Sequence, residues 1–386
     1  MELLTITTSF PISKDDSNGI FLLRTLNSMK GVEHVVVLPG NDKRTWENLL
    51  EVGCLVRVRY APRILSVLTS SKIKGGLPIA IKKYPWLLLL YPMMLLSVFY
   101  NSLSRCNQET IIHAHWIPNG LVGVFLKKLK NIPLVITIRG ADQSLLHLPV
   151  LGKICRWVLK NSDVITTVSE DLKNKVSEIS GLSTKTIFIP NGVHIPKKNV
   201  QQPISNQYKF LFVGNLIPRK GVNILIKAFI KLNLFEKTKL VIGGAGMEEN
   251  KLKEIVEKNK VGKYIEFLGE IEPNNVQNIM LESDCFVLPS FSEGTPNVIK
   301  ESMACGVPVI TTNISGNPEL IISGETGLLF EPGDVNTLTE HLRFAFENQK
   351  IMKAMGEKCI ELIISKQLTW KNTARMYESI YSKIYK

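Results

Sequence analysis

The segment Ser290–Thr312 reads SFSEGTPNVIKESMACGVPVITT, and CFVLPS (Cys285–Ser290) runs into it. CFVLPS is a short apolar run of strand type, and VPVITT is a second. Between them, Thr295 followed by Pro296 predicts a helix start, a hydroxyl N-cap and then the residue suited to the first helical position. Gly306 with Pro308 soon after predicts its stop. The unit is strand, loop, helix, strand, and the loop holds Glu293 and Gly294 just ahead of a helix N-terminus. Such a terminus presents backbone N–H groups and a partial positive charge, to which phosphate oxygens bind. Glu301 lies more than one turn inside the helix. A carboxylate there can accept hydrogen bonds from sugar hydroxyls but would repel a phosphate. The layout suits a ligand with a diphosphate in the middle and polyols on either side.

This stretch resembles the nucleotide-sugar signature of the retaining glycosyltransferases of GT-B fold, the glycosyl transferases group 1 family. The family pattern is a Glu, seven residues and a second Glu, wrapped in E-G-x-P-N…E-A-M-A-x-G-x-P-V. Here the pair is Glu293 and Glu301, with Gly294, Pro296, Asn297, Met303, Gly306 and Pro308 in place and Ser302 where Ala is usual. A βαβ crossover in an unrelated α/β protein would need the strands and the helix but not this set of residues.

At 386 residues the chain can form two α/β domains, each with its own core. Hydrophobic content of 45% and charged content of 21% exclude a disordered chain. The six cysteines are scattered without C-x-x-C spacing, which suits reduced thiols in a cytoplasmic compartment. No H-E-x-x-H, histidine–cysteine cluster or D-x-D occurs, so neither a bound metal nor a cofactor is expected. Met1 opens directly into an apolar run, LLTITTSF, and no secretory signal is read there.

The formal charge of +13 is unevenly spread. Residues 1–195 hold 23 Lys+Arg against 13 Asp+Glu, net +10, and residues 196–386 hold 24 against 21, net +3. Val52 to Gln108 contains no acidic residue but has Arg57, Arg59, Arg63, Lys72, Lys74, Lys82, Lys83 and Arg105. A lysine-rich composition accounts for part of this, and an anionic partner surface is the other reading. No nucleic-acid motif accompanies these charges, and the aromatic residues are not interleaved with them, so no nucleic acid is expected. Within the segment, YPWLLLLYPMMLLSVFYNSLS (84–104) runs 21 residues without a charge. A buried helix, a helix in a membrane interface and a spanning helix are all open for it, although Pro85 and Pro92 and a polar end speak against a span. Peripheral contact with the inner face of a membrane through residues 57–105 is thus one of the expectations.

Taken in order, HVVVLP and LVRVRYAP are further strands, and Gly19 with Asn18 sits in the first strand-to-helix loop, which the resemblance places on the acceptor side. IIHAHWIPNG sends His113 and His115 to one side of a strand by alternation. The resemblance implies that His115 contacts the transferred sugar or the acceptor; a histidine bonding a backbone carbonyl is the alternative. The family's His-Gly-x-Asp is here Arg139-Gly140-Ala141-Asp142, so a permanent cation, suited to a phosphate-bearing acceptor, joins Asp142 on that side. Ser169 predicts a helix cap. KFLFVGNLIPRKG matches the family's V-G-R-L-x-x-x-K-G through Gly214, Arg219 and Lys220, with Asn215 in place of an Arg. Two cations ahead of a helix suit a diphosphate whose charge rises as the sugar leaves. KLVIGGAG lacks the third glycine of the dinucleotide fingerprint.

The expected fold is α/β, two doubly wound Rossmann-like domains facing each other across a cleft. The expected organisation is an acceptor domain 1–195, a linker 196–207, a nucleotide-sugar domain 208–365 and a closing helix 366–386 packing back on the first domain. The resemblance implies a metal-independent, retaining glycosyltransferase, cytoplasmic, drawing on a UDP- or GDP-linked sugar. Its acceptor would be a glycan or lipid-linked molecule in the synthesis of a cell-surface polysaccharide or glycolipid. Arg219, Lys220 and Asn297 would meet the diphosphate, Glu301 the ribose and Glu293 the sugar, with Glu293 as nucleophile left open. A non-catalytic nucleotide-sugar-binding protein and a same-fold epimerase or phosphorylase are the alternatives.

Overall fold

Parallel strands are covered by helices on both faces and therefore read as near-continuous apolar runs. LLTI, HVVVL, IIHAH, LVITI and VITT in the first half, and KFLFV, KLVIG, CFVL, VITT and GLLF in the second, satisfy that demand. In the computed structural model of the chain each lies in a parallel strand. The structure describes residues 1–11, 16, 18–40, 49–61, 84–140, 143–196, 207–293, 296–314 and 316–385. The chain divides into two units, Met1–Asn191 together with Trp370–Lys386, and Gly192–Thr369. The divisions fall a few residues from those read at 195 and 366, and most of the linker, 197–206, lies outside the described residues.

The first unit runs β1 (Glu2–Ile6), α1 (Ile20–Asn27), β2 (Glu33–Pro39), β3 (Cys54–Val58), α2 (Tyr91–Leu103), β4 (Thr110–His115) and α3 (Ile117–Lys130). It continues through β5 (Leu134–Ile138), α4 (Pro149–Lys160), β6 (Val164–Thr167), α5 (Glu170–Ser180) and β7 (Thr186–Phe188). Its sheet has the order β3-β2-β1-β4-β5-β6-β7. β1 pairs with both β2 and β4, Thr5 standing opposite His113, so the strand order reverses between β1 and β4. Ligands of open α/β sheets bind beyond the carboxyl ends of the strands at such a switch point. Right-handed crossovers put α1 on one face and α2 to α5 on the other. Two separate cores follow, one containing Leu22 and Leu26 of α1 and the other Val98, Val124, Val158 and Val176. Ser169 caps α5 by accepting the Leu172 N–H at 3.2 Å.

The apolar run 84–104 becomes a 3-10 turn over Pro85–Leu90 followed by α2, with Pro92 in its first turn. Thirteen residues of helix reach about 20 Å against a hydrocarbon thickness of about 30 Å. Among the described residues no helix is long and apolar enough to cross a membrane, which removes the spanning reading. Nor is α2 wholly buried: Met94 and Val98 are enclosed while Met93, Leu96 and Tyr100 are exposed. Of the wider segment 57–105, residues 62–83 lie outside the described residues.

The second unit runs β8 (Tyr208–Val213), α6 (Val222–Leu232), β9 (Thr238–Gly243), α7 (Glu249–Lys258), β10 (Ile265–Gly269), α8 (Val276–Leu281) and β11 (Cys285–Leu288). Then come α9 (Asn297–Ala304), β12 (Val309–Thr312), α10 (Asn317–Leu320), β13 (Gly327–Phe330), α11 (Val335–Glu347) and α12 (Gln349–Ser365). The sheet order is β10-β9-β8-β11-β12-β13, all parallel, with the switch between β8 and β11. α9 begins one residue later than the sequence predicts. Pro296, with ψ of 107°, is the cap rather than the first helical residue, and Thr295 lies outside the described residues. A last helix, α13 (Trp370–Ile384), belongs to the first unit, where Ala374, Tyr377, Ile380 and Tyr381 join the core of α1.

Candidate active site

In the second unit, the loops that follow the two switch-point strands touch. Gly214 follows β8, its N–H donating to Gly243 O at 2.9 Å, and a Cβ there would meet the Phe212 ring at 3.2 Å and Lys220 Cε at 3.8 Å. A 3-10 turn over Pro218–Lys220 leads to Gly221, which has φ of 64° and adjoins α6. A Cβ on Gly221 would lie 2.1 Å from Pro289 O, so only glycine permits this approach. Phe291 N–H donates to Arg219 O at 2.8 Å and completes the lock between the loops.

That lock brings three of the expected residues together. Lys220 Nζ is 2.5 Å from Glu293 Oε1, and Arg219 Nη1 is 3.8 Å from Glu293 Oε2. Ser290 Oγ donates to Glu293 Oε1 at 2.6 Å and Arg219 Nη1 to Ser292 O at 3.1 Å. The side chains of Glu293 and Lys220 are 6% and 11% exposed, that of Arg219 52%. Burying two opposite charges is costly unless each is also hydrogen-bonded, and the Ser290 hydroxyl helps meet that condition. One carboxylate between two cations leaves a net positive cluster, placed just before α9. Asn297 is the first residue of α9 and Glu301 lies further along it, both half-buried. Gly294 lies outside the described residues. The sequence did not single out Ser290, although a serine three residues ahead of a carboxylate at a strand end was a usable signal.

In the first unit, β4 places His113 and His115 on one side, their rings 4.2 Å apart. Both are buried. His113 Nδ1 is 2.7 Å from the Tyr381 hydroxyl of α13, and its Nε2 is 2.6 Å from Thr137 Oγ1, itself 2.6 Å from Thr166 Oγ1. Burial, and then the charge of Arg139, push the His113 pKa down to about 3. Burial, His113 and Arg139 hold His115 well below the ordinary histidine range.

His115 Nδ1 lies 3.3 Å from Arg139 Nη2. A guanidinium has only donors, so this Nδ1 bears the lone pair and the proton sits on Nε2. Nε2 is buried and has no hydrogen-bond partner among the described residues. His115 is therefore a neutral N–H donor, and its Nδ1 meets a guanidinium rather than a backbone carbonyl. Arg139 is held by Asn191 Oδ1 at 3.2 Å and stands 3.9 Å above the Phe21 ring. Trp116, next in the chain after His115, has φ of 68° and ψ of 140°, a rare conformation for a bulky residue. Gly19 caps α1 with φ of 73°, and Asp142 lies outside the described residues. Nothing local in the sequence announces Asn191, Phe21 or Tyr381 as partners.

The family Glycosyl transferases group 1 matches residues 195–361 and Glycosyltransferase Family 4 matches residues 22–196. An uncharacterized glycosyltransferase of Methanocaldococcus jannaschii is 34% identical over 279 residues, 71% of this chain and 75% of that protein. The chain belongs to the group 1 glycosyltransferases. This glycosyltransferase is also similar to the N-acetyl-alpha-D-glucosaminyl L-malate synthase of Bacillus anthracis, 30% identical over 75% of this chain and 79% of that one. Among solved structures it superposes on HepE of Anabaena in complex with UDP with a TM-score of 0.77, at 16% identity and 99% coverage of each chain. Its fold is therefore GT-B, built from two parallel-stranded Rossmann-like units. In this glycosyltransferase the cluster of Gly214, Arg219, Lys220 and Glu293 lies within the match to the group 1 family. His115 and Arg139 lie within the Family 4 match.

Proposed function

We propose that this glycosyltransferase moves a sugar from a UDP- or GDP-linked donor to a glycan or lipid-linked acceptor with retention at the anomeric carbon. The transfer needs no bound metal and serves the synthesis of a cell-surface polysaccharide or glycolipid. The observation that carries this reading is the Arg219–Glu293–Lys220 cluster ahead of α9. Diphosphate oxygens compete with Glu293 for both cations, in charge-assisted hydrogen bonds worth about 1.5–3 kcal/mol each. The bond from C1 to the diphosphate oxygen then breaks with its electron pair going to the diphosphate. The acceptor hydroxyl oxygen bonds to C1 on the same face, and its proton leaves with the diphosphate. Lys220, Arg219 and the start of α9 at Asn297 stabilise the charge that grows on the leaving group.

Glu293, released from Lys220, accepts hydrogen bonds from the donor sugar, and Glu301 takes the ribose hydroxyls. Front-face attack requires no nucleophilic carboxylate. His115 offers its Nε2–H to an oxygen of the sugar or the acceptor, and Gly19, Arg139 and Asp142 serve the acceptor side. The UDP complex of HepE supports a nucleoside diphosphate donor. The test is hydrolysis and thermal stabilisation across UDP-, GDP- and ADP-sugars in the presence of EDTA, wild type beside Lys220→Ala. One donor should stabilise the wild type and turn over, and Lys220→Ala should lose roughly 100-fold or more in turnover. Activity abolished by EDTA and restored by a divalent cation would end the metal-free reading. An inverted anomer in the transfer product would end the retaining one.

A further inference from the structure

The first unit carries an outer surface that its core does not account for. α2, α3 and α4 lie side by side on one face of the sheet, α2 against α3 and α3 against α4. Each buries one stripe in a shared core. A helix in such a layer ordinarily turns charged and polar residues outward. Here Leu89, Met93, Leu96 and Tyr100 recur at helical spacing and are all exposed, Leu89 by 79%. On α3 Leu129 is 65% exposed, and on α4 Val150 is 70% exposed with Ile154 one turn further on. The rings of Phe125 and Trp157 meet at 6.2 Å across the seam between α3 and α4, joining the stripes of those two helices.

The charged residues of these three helices have a single sign. No Asp or Glu occurs in α2, α3 or α4, while α3 and α4 carry Lys127, Lys128, Lys130, Lys153, Arg156 and Lys160. Lys127 is engaged by Asp163, and Lys128 Nζ lies 4.9 Å over the Trp157 ring. We propose that the outer face of α2, α3 and α4 docks on an anionic lipid bilayer. Exposed leucine, isoleucine and valine side chains enter the acyl boundary, Tyr100 and Trp157 sit at headgroup level, and the lysines meet lipid phosphates. A second copy of the chain would set the same cations against each other, and nucleic acid would leave the apolar stripes uncovered. The inference stands on the surface alone and does not rest on the transfer chemistry.

The test is sedimentation of the full chain with vesicles of phosphatidylcholine, and of phosphatidylcholine with phosphatidylglycerol in equal parts. The wild type should pellet with the anionic vesicles, and added salt should weaken the binding. Combined Lys128→Glu, Lys153→Glu and Lys160→Glu should lower partitioning by about 100-fold or more, since each cation lost near an anionic surface removes about a factor of five and each new carboxylate is repelled by it. Combined Leu96→Ser and Ile154→Ser should lower it by roughly tenfold with the charges intact. All five positions are exposed, so melting curves should match the wild type, and the two sets alter different chemistry should either fail to fold. Equal binding to both vesicle types, or undiminished binding by the charge-reversed protein, overturns the proposal. So does a wild type that pellets with neither and elutes as a dimer that Leu96→Ser dissociates.

Discussion

His113 is buried between Tyr381 and Thr137 and titrates at about 3 in the folded protein, against 6.5 for an ordinary histidine. Between those values the unfolded chain binds a proton that the folded one does not. Stability conferred by the neutral ring is therefore complete above about pH 6.5 and is lost progressively as pH falls toward about 3. His34, pushed down to about 4 by burial, acts in the same window and with the same sign. His113→Asn should be less stable at neutral pH but lose stability less steeply between about pH 6 and pH 4. Urea unfolding at a series of pH values measures this. An unchanged slope would show that His113 is not the group that protonates on unfolding. The same neutrality shapes the chemistry above it. With Arg139 donating to its Nδ1, His115 presents an N–H and not a base, so in the proposed transfer it would orient an oxygen.

At the scale of elements, the site depends on two loops held in contact. Gly221→Ala would place a Cβ at φ of 64° and 2.1 Å from Pro289 O. The left-handed conformation alone costs about 1–2 kcal/mol, and the displaced loop adds more, for a total of roughly 2–4 kcal/mol. Moving Lys220 away from Glu293 should also lower turnover more than nucleotide affinity. Gly324→Ala is the control, also at positive φ but with nothing within 4 Å of the added carbon. Equal melting of the two variants would mean that the loops can separate freely. Much of this element was legible beforehand, because parallel strands write themselves as apolar runs and the loop residues follow each strand directly. Glu293, Lys220 and Arg219 come from such loops, and the structure brings them together. The histidine network was not legible, because Tyr381 and His113 are 268 residues apart and no period links them. The helix start at Asn297 was missed by one residue because Pro296 can be a cap as readily as a first turn.

For the molecule as a whole, the two units differ in how the chain builds them. Gly192–Thr369 is continuous and has its own sheet and core, whereas the first unit is completed only when Trp370–Lys386 is added to Met1–Asn191. α13 supplies Ala374, Tyr377, Ile380 and Tyr381 to the core of α1 and the hydroxyl that meets His113 Nδ1. A fragment 192–369 should therefore unfold cooperatively on its own. It should also be stabilised by the nucleoside diphosphate of the donor, by about 2.7 kcal/mol at a concentration a hundredfold above Kd. A fragment 1–191 should not, since it leaves the apolar face around Leu22 and Leu26 uncovered and a buried imidazole without its partner. Joining residues 370–386 to it through a flexible linker should restore a cooperative transition in near-ultraviolet circular dichroism. If fragment 1–191 alone melts as sharply as the joined protein, α13 is an accessory of the first unit and its tyrosines do not hold the histidines in place.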